Sequence, residues 1–259
     1  MPTNQTKVLL DEAYERYARP EFIENDPIQV PRSFADRENA EVIGFLTATI
    51  AWGQRKTIIN NAWKLVDLMD RAPHDFVLNA TEQDLDRLDR FVHRTFNGVD
   101  LRHFVIGLRH VYAEYYGLEQ AFLLNGTEKA PTNWSAAEGI SLFKQRFFEP
   151  VHERRTQKHV ADPAKGSNAK RINMFLRWMV RPNNRGIDMG HWKRISTSAL
   201  LVPLDVHTGR VGRDLGLLHR KQDDLKAVLE LTERLREFDP VDPVRYDIAL
   251  FGMGVDKGS

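Results

Sequence analysis

Cysteine is absent from the 259 residues, so no disulfide, thiolate zinc site or cysteine-bound iron–sulfur cluster can be built. Long apolar runs are missing as well, and none approaches the ~20 residues that a membrane-spanning helix needs. The opening Met1-Pro2-Thr3-Asn4-Gln5 lacks the basic-then-apolar pattern of a secretory signal. These absences predict a cytoplasmic protein. No glycine-rich phosphate loop occurs, which argues against a nucleoside-triphosphate enzyme. There is no internal repeat, no low-complexity tract and, apart from Ser196 to Pro203, no run alternating apolar with polar residues.

What is present is ordinary in amount and uneven in placement. A hydrophobic content of 42% and a charged content of 28% suit a globular chain, long enough for one large domain or two small ones. The net charge of +1 conceals a division, because residues 151–220 carry fourteen Lys and Arg against five Asp and Glu. The same segment holds five of the nine histidines. A basic stretch of this kind fits a polyanion such as nucleic acid; a solvated face or an acidic partner are the other readings.

Apolar spacing is helical nearly throughout and predicts an all-α fold. Helices are expected over residues 8–18, 40–51, 57–69, 73–78 and 100–116, with Thr81 opening another. Further ones are expected over 118–124, 135–148, 169–181, from Thr208, 222–238 and 244–251. The proline-marked passage Arg19–Arg32 reads as extended, and Asn125–Pro131 as a surface loop. Two helical subdomains with a cleft between them are expected. One covers 40–180, and the other combines 1–39 with 181–259.

The most informative stretch is Leu200-Leu201-Val202-Pro203-Leu204-Asp205-Val206-His207-Thr208. An apolar run ends in proline, and a carboxylate stands where a helix should begin. As an N-cap, Asp205 would accept from the backbone N–H of His207 or Thr208 and contribute ~1 kcal/mol. As a functional group it would present charge to a ligand. The two roles are compatible, since a cap fixes the rotamer that chemistry needs.

Here the sequence resembles the helix-hairpin-helix DNA glycosylase superfamily. Val202-Pro203-Leu204-Asp205-Val206-His207-Thr208-Gly209-Arg210-Val211 follows its V/I-P-V-D-T-H-x-x-R-V stretch, with Val-Pro, Asp, His and Arg-Val in register. Phe45-Leu46-Thr47-Ala48-Thr49-Ile50-Ala51-Trp52-Gly53-Gln54 resembles the family's L-L-S-A-Q-T-T-D helix–turn–helix. The nearest branch is that of the archaeal 8-oxoguanine glycosylases, whose catalytic lysine lies on a helix well before the aspartate. The chain as a whole also resembles an uncharacterised bacterial family with signatures at Lys170–Arg181 and Tyr246–Gly252. The usual hairpin L-P-G-V-G-x-K is missing; Pro163-Ala164-Lys165-Gly166-Ser167-Asn168-Ala169-Lys170 stands in its place with the lysine two residues late.

The resemblance implies a bifunctional DNA glycosylase and lyase that removes a damaged base, an oxidised purine such as 8-oxoguanine, from DNA, with no cofactor. Asp205 would stabilise the sugar cation formed as the base departs. Lys170 would be the nucleophile, with Lys165 its rival. Gln54 would fill the gap left by the flipped nucleotide, with Arg55 and Lys56 on phosphates. Trp52, Trp178 and Trp192 are the tryptophans that could stack on an extruded base; helical spacing favours the core, for Trp178 above all, and Trp192 is the better candidate to meet a ligand. Arg177, Arg181, Lys193, Arg194, Arg210 and Arg213 read as a phosphate-binding face, with His207 beside the aspartate. Two alternatives stand: a non-catalytic DNA-binding module of the same fold, and a metal-dependent phosphohydrolase built on Asp205-His207 and His74-Asp75.

Overall fold

The computed structural model describes residues 4–124, 129–131 and 133–256. The fold is all-α. Contacts divide the chain into two units, the first joining Met1–Ile23, Thr132–Glu138 and Asp162–Ser259. The second joins Glu24–Pro131 and Gly139–Ala161.

Helix α1 (Asn4–Tyr17) belongs to the first unit. The second unit follows with α2 (Gln29–Arg32), α3 (Arg37–Thr49), α4 (Arg55–Leu68), α5 (Pro73–Asn79) and α6 (Glu82–Asp86). A hairpin of β1 (Val92–His93) and β2 (Phe96–Asn97) leads into α7 (Gly98–Tyr115) and α8 (Leu118–Ala121). Helix α9 (Ala136–Phe147) opens in the first unit and ends in the second. The first unit then continues through α10 (Lys170–Val180), α11 (Val206–Asp214), α12 (Leu225–Phe238) and α13 (Arg245–Asp256). Among the described residues no helix is long and apolar enough to cross a membrane.

In the second unit α3 is buried on every side from Ala40 to Thr49 and forms the axis. Asp36 starts it by accepting from the Asn39 amide at 2.8 Å, which satisfies a donor the helix leaves open. Phe45 on that helix stacks on Phe104 at 5.6 Å and meets Phe143 and Phe147 edge-on. Helix α7 opens with a capping box of Asn97 and Asp100. The buried Asp100 also accepts from Thr156 Oγ1 at 2.8 Å and pairs with Arg155 at 2.9 Å.

One turn along α7, His103 is 5% exposed, and neither ring nitrogen has a hydrogen-bond partner among the described residues. It lies flat on Phe148 with the centroids 5.1 Å apart and beside His152. Burial, helped by His152 and opposed by Asp100, pushes the imidazole down to about 4. The unfolded chain therefore takes up a proton there at higher pH than the folded one. Stability should fall as pH drops from about 6.5 towards about 4, by up to ~3 kcal/mol, and level off below. Urea unfolding at pH 7 and pH 4.5 checks this: His103→Phe should flatten the dependence, and an unchanged slope would count against it.

The structure corrects two readings of local form and adds a hairpin. Arg19–Arg32 is not extended, since Pro20–Ile23 forms a 3-10 turn and Gln29–Arg32 forms α2. Pro31 sits inside that single helical turn, where its missing N–H costs little. Ser196–Pro203 is not a strand; Ser196 caps a 3-10 turn over Thr197–Ala199 instead. The hairpin was not foreseen, because two-residue strands are too short to show a period. The expected loop Asn125–Pro131 lies partly outside the described residues.

The division of the chain also differs from the expected one. Helix α10 belongs with residues 181–259 rather than with 40–169, and residues 24–39 belong to the second unit. The reason is electrostatic. Arg177 on α10 and Arg181, which caps its C-terminus, are buried against Asp188, Asp242 and Asp247, all of the first unit.

Close approach seats α13 in that unit. A Cβ on Gly252 would fall 2.4 Å from the Tyr17 ring of α1, and one on Gly254 would fall 2.8 Å from His207 Cβ of α11. These two glycines let α13 touch both neighbours at backbone distance. The helix thereby brings Asp247 into the interior.

Candidate active site around Lys170 and Asp205

Asp205 is half-buried, and its Oδ1 accepts from the amides of His207 and Thr208, both at 2.9 Å. The cap expected from the sequence is therefore present and involves one of the two carboxylate oxygens. The segment leading to it, Leu200–Leu204, is buried, so the carboxylate emerges from a fixed base. Val206, the first residue of α11, is 71% exposed.

The turn before α10 is fastened to this segment. Asn168 Nδ2 donates to the Leu204 carbonyl at 3.4 Å, and Asn173 Nδ2 donates to the Asn168 carbonyl at 3.0 Å. Asn168 Oδ1 in turn accepts from the Lys170 amide at 3.3 Å. Two asparagines thus set Lys170, at the head of α10, beside the residue that precedes Asp205. Ala169, which begins the helix, has φ +45°, a strained value for a residue with a side chain. Lys170 is half-buried, with Nζ 3.7 Å from Met174 Sδ. Lys165 stands exposed on the 3-10 turn Pro163–Lys165.

Beneath Lys170 and Asp205 lies Asp247, 4% exposed. Its Oδ2 accepts from Arg177 Nη1 at 2.6 Å and its Oδ1 from Thr208 Oγ1 at 3.2 Å. Burial pushes this carboxyl above the usual range. Arg177 draws it down, the charge of Asp205 raises it, and that of Lys170 lowers it. One buried carboxylate is therefore within electrostatic reach of both candidate groups. The asparagine hydrogen bonds tie the backbone at Lys170 to the residue before Asp205. A lysine amine and a carboxylate that meet one substrate can deliver a nucleophile to a carbon and steady the positive charge that develops there.

Residues 26–256 match the family model described as "Protein of unknown function (DUF2400)". The chain belongs to this family. No curated protein and no solved structure matches the chain at a significant level.

In this DUF2400 chain the remaining residues singled out by sequence fall into three groups. Arg177, Arg181 and Trp192 are 7%, 3% and 1% exposed, which corrects their assignment to a phosphate- or ligand-facing surface. Arg177 joins Asp188 to Asp247, and Arg181 joins Asp188 to Asp242. A guanidinium so engaged leaves no donors facing a nucleic acid. Trp192 stands edge-on to Phe175 at 5.3 Å, in the core, and Trp178 is fully buried.

The second group lies near Asp205. His207 Nδ1 is 3.3 Å from the Gly254 carbonyl, and its ring packs against Phe251. Arg210 Nη2 donates to the same carbonyl at 2.5 Å. Arg213 pairs with Asp223 at 2.6 Å and donates to the Arg220 and Lys221 carbonyls, so it closes a loop. Lys193 and Arg194 are exposed.

The third group belongs to the second unit. Gln54, Arg55 and Lys56 are exposed at the head of α4, and the Gln54 side chain makes no capping bond. Gly53 before it has φ +104°, and a Cβ there would fall 2.7 Å from Arg94 Nη1. Arg94, on the unforeseen hairpin, lies 5.7 Å over the half-exposed Trp52 ring. Among the described residues no three His, Asp or Glu side chains converge on a metal-sized site. His74 packs on Tyr112 in the second unit, whereas Asp205 and His207 belong to the first.

Sequence reading missed Asp247, Thr208 and Asn168. A signal was present for the first, because Asp247 interrupts the apolar run Tyr246-Asp247-Ile248-Ala249-Leu250 and Arg177 interrupts Phe175-Leu176-Arg177-Trp178-Met179. Opposite charges inside two apolar helices are a reason to expect a buried pair.

Proposed function

We propose that the chain excises a damaged base from DNA, as a glycosylase with lyase activity acting on an oxidised purine such as 8-oxoguanine. The observation that carries this reading is the asparagine clamp. It ties the Lys170 backbone to the Leu204-Asp205 step within one unit. The resemblance at Val202–Val211 supplies the reaction class.

In the proposed step the Lys170 amine attacks C1′ of the flipped nucleotide. The N–C1′ bond forms, the C1′–N9 bond breaks, and the base departs with the electron pair and takes the proton that the attacking nitrogen gives up. Asp205 stabilises the positive charge that builds on the sugar. Ring opening gives a Schiff base, and loss of a C2′ proton expels the 3′ phosphate by β-elimination. The exposed Gln54, Arg55 and Lys56 of the second unit are assigned to DNA contacts. Lys193 and Arg194 remain as phosphate contacts, while Arg177 and Arg181 are withdrawn from that role.

Borohydride reduction tests the chemistry, because it converts a Schiff base to a stable amine. The wild-type chain, incubated with a duplex carrying 8-oxoguanine, should give a covalent complex on reduction. Lys170→Gln should give none while retaining DNA binding. Tight binding with neither trapping nor base release in the wild type would instead support a non-catalytic DNA-binding module.

A further inference from the structure

Asp247 takes no part in the step just described, yet the candidate site converges on it. Thr208, itself fully buried, is joined to both carboxylates. Its amide donates to Asp205 Oδ1 at 2.9 Å, and its hydroxyl donates to Asp247 Oδ1 at 3.2 Å. The rotamer of Asp205 therefore follows the first turn of α11, and that turn is anchored from below by Asp247. The anchor is rigid, because Asp247 Oδ2 is held by Arg177 at 2.6 Å, and Arg177 is held by Asp188 at 3.2 Å.

We propose that Asp247 is a positioning residue for Asp205, acting through Thr208, which joins the two carboxylates. The inference rests on the glycosylase and lyase reading above. The charged groups that face the Asp247 carboxylate are Arg177 and Lys170 from α10 and Asp205 from the head of α11. Helix α1 also packs on α13, but it presents Asp11 to Tyr246 and Arg245. A residue that merely filled space would show no loss of rate when the Thr208 hydroxyl is removed and no rescue by serine.

Single-turnover borohydride trapping by the full chain on an 8-oxoguanine duplex reads the link. Thr208→Val removes the hydroxyl that joins the two carboxylates and should lower the rate about tenfold, and Thr208→Ser should restore it. Asp247→Ala should lose as much, and the double variant no more than either single one. A wild-type rate in Thr208→Val, or no rescue by Thr208→Ser, would overturn the proposal. If Asp247→Ala does not fold, the Thr208 pair decides. Trapping by the wild type with the Thr208 variants unaltered defeats this inference alone. No trapping by the wild type defeats the reading beneath it as well.

Discussion

Replacing Arg177 with methionine should lower the stability of the chain by about 3–5 kcal/mol, seen as a large shift in the urea midpoint. The size follows from what the guanidinium leaves behind. Asp188 is fully buried and Asp247 nearly so, and Arg177 reaches them at 3.2 and 2.6 Å. Removing it strands two carboxylates in an environment that disfavours charge. Arg181 still pairs Asp188 at 2.5 Å, so the unsatisfied group is chiefly Asp247. The interaction also bears on the candidate site, because Asp247 holds the hydroxyl of Thr208, whose amide donates to Asp205. A loss below ~1 kcal/mol would mean that these carboxylates are solvated and that Arg177 is available to a ligand after all.

Asp205→Asn should reduce base release by about 100- to 1000-fold while leaving the unfolding midpoint nearly unchanged. Asparagine caps helices about as well as aspartate, so its carbonyl can go on accepting from His207 and Thr208. What it lacks is the negative charge. The substitution therefore separates the two roles that the sequence left superposed on one residue. Asp205→Ala removes both and should lower stability by ~1 kcal/mol as well. Full activity in Asp205→Asn would leave the residue a cap and nothing more. Both measurements use the same protein preparation: single-turnover release of 8-oxoguanine and thermal unfolding.

The fold class was legible because apolar spacing needs only a few turns of helix to show. The caps at Thr81 and Asp205 were legible because capping is a local bond between a side chain and an amide two or three residues on. The fates of Arg177 and Arg181 were not, since their partners lie as far away as Asp247 and Asp242, 70 and 61 positions along the chain. A basic segment looks the same in sequence whether its cations face solvent or pair with distant acids. Trp192 was misplaced for the same reason: the loose stretch around it gives no sign of the Phe175 ring that covers it. At the candidate site, the pair Lys170 and Asp205 came from the resemblance. The asparagines that join their segments and the carboxylate beneath them came only from the fold.

The most direct measurement is peptide mapping of the wild-type chain after borohydride trapping on an 8-oxoguanine duplex. The DNA is digested to a residual sugar adduct, the protein is cleaved, and the modified lysine is located by mass. The expected result is a single adduct on Lys170, on the peptide that heads α10. An adduct on Lys165, on any other lysine, or on none would contradict the assignment of Lys170 as the nucleophile.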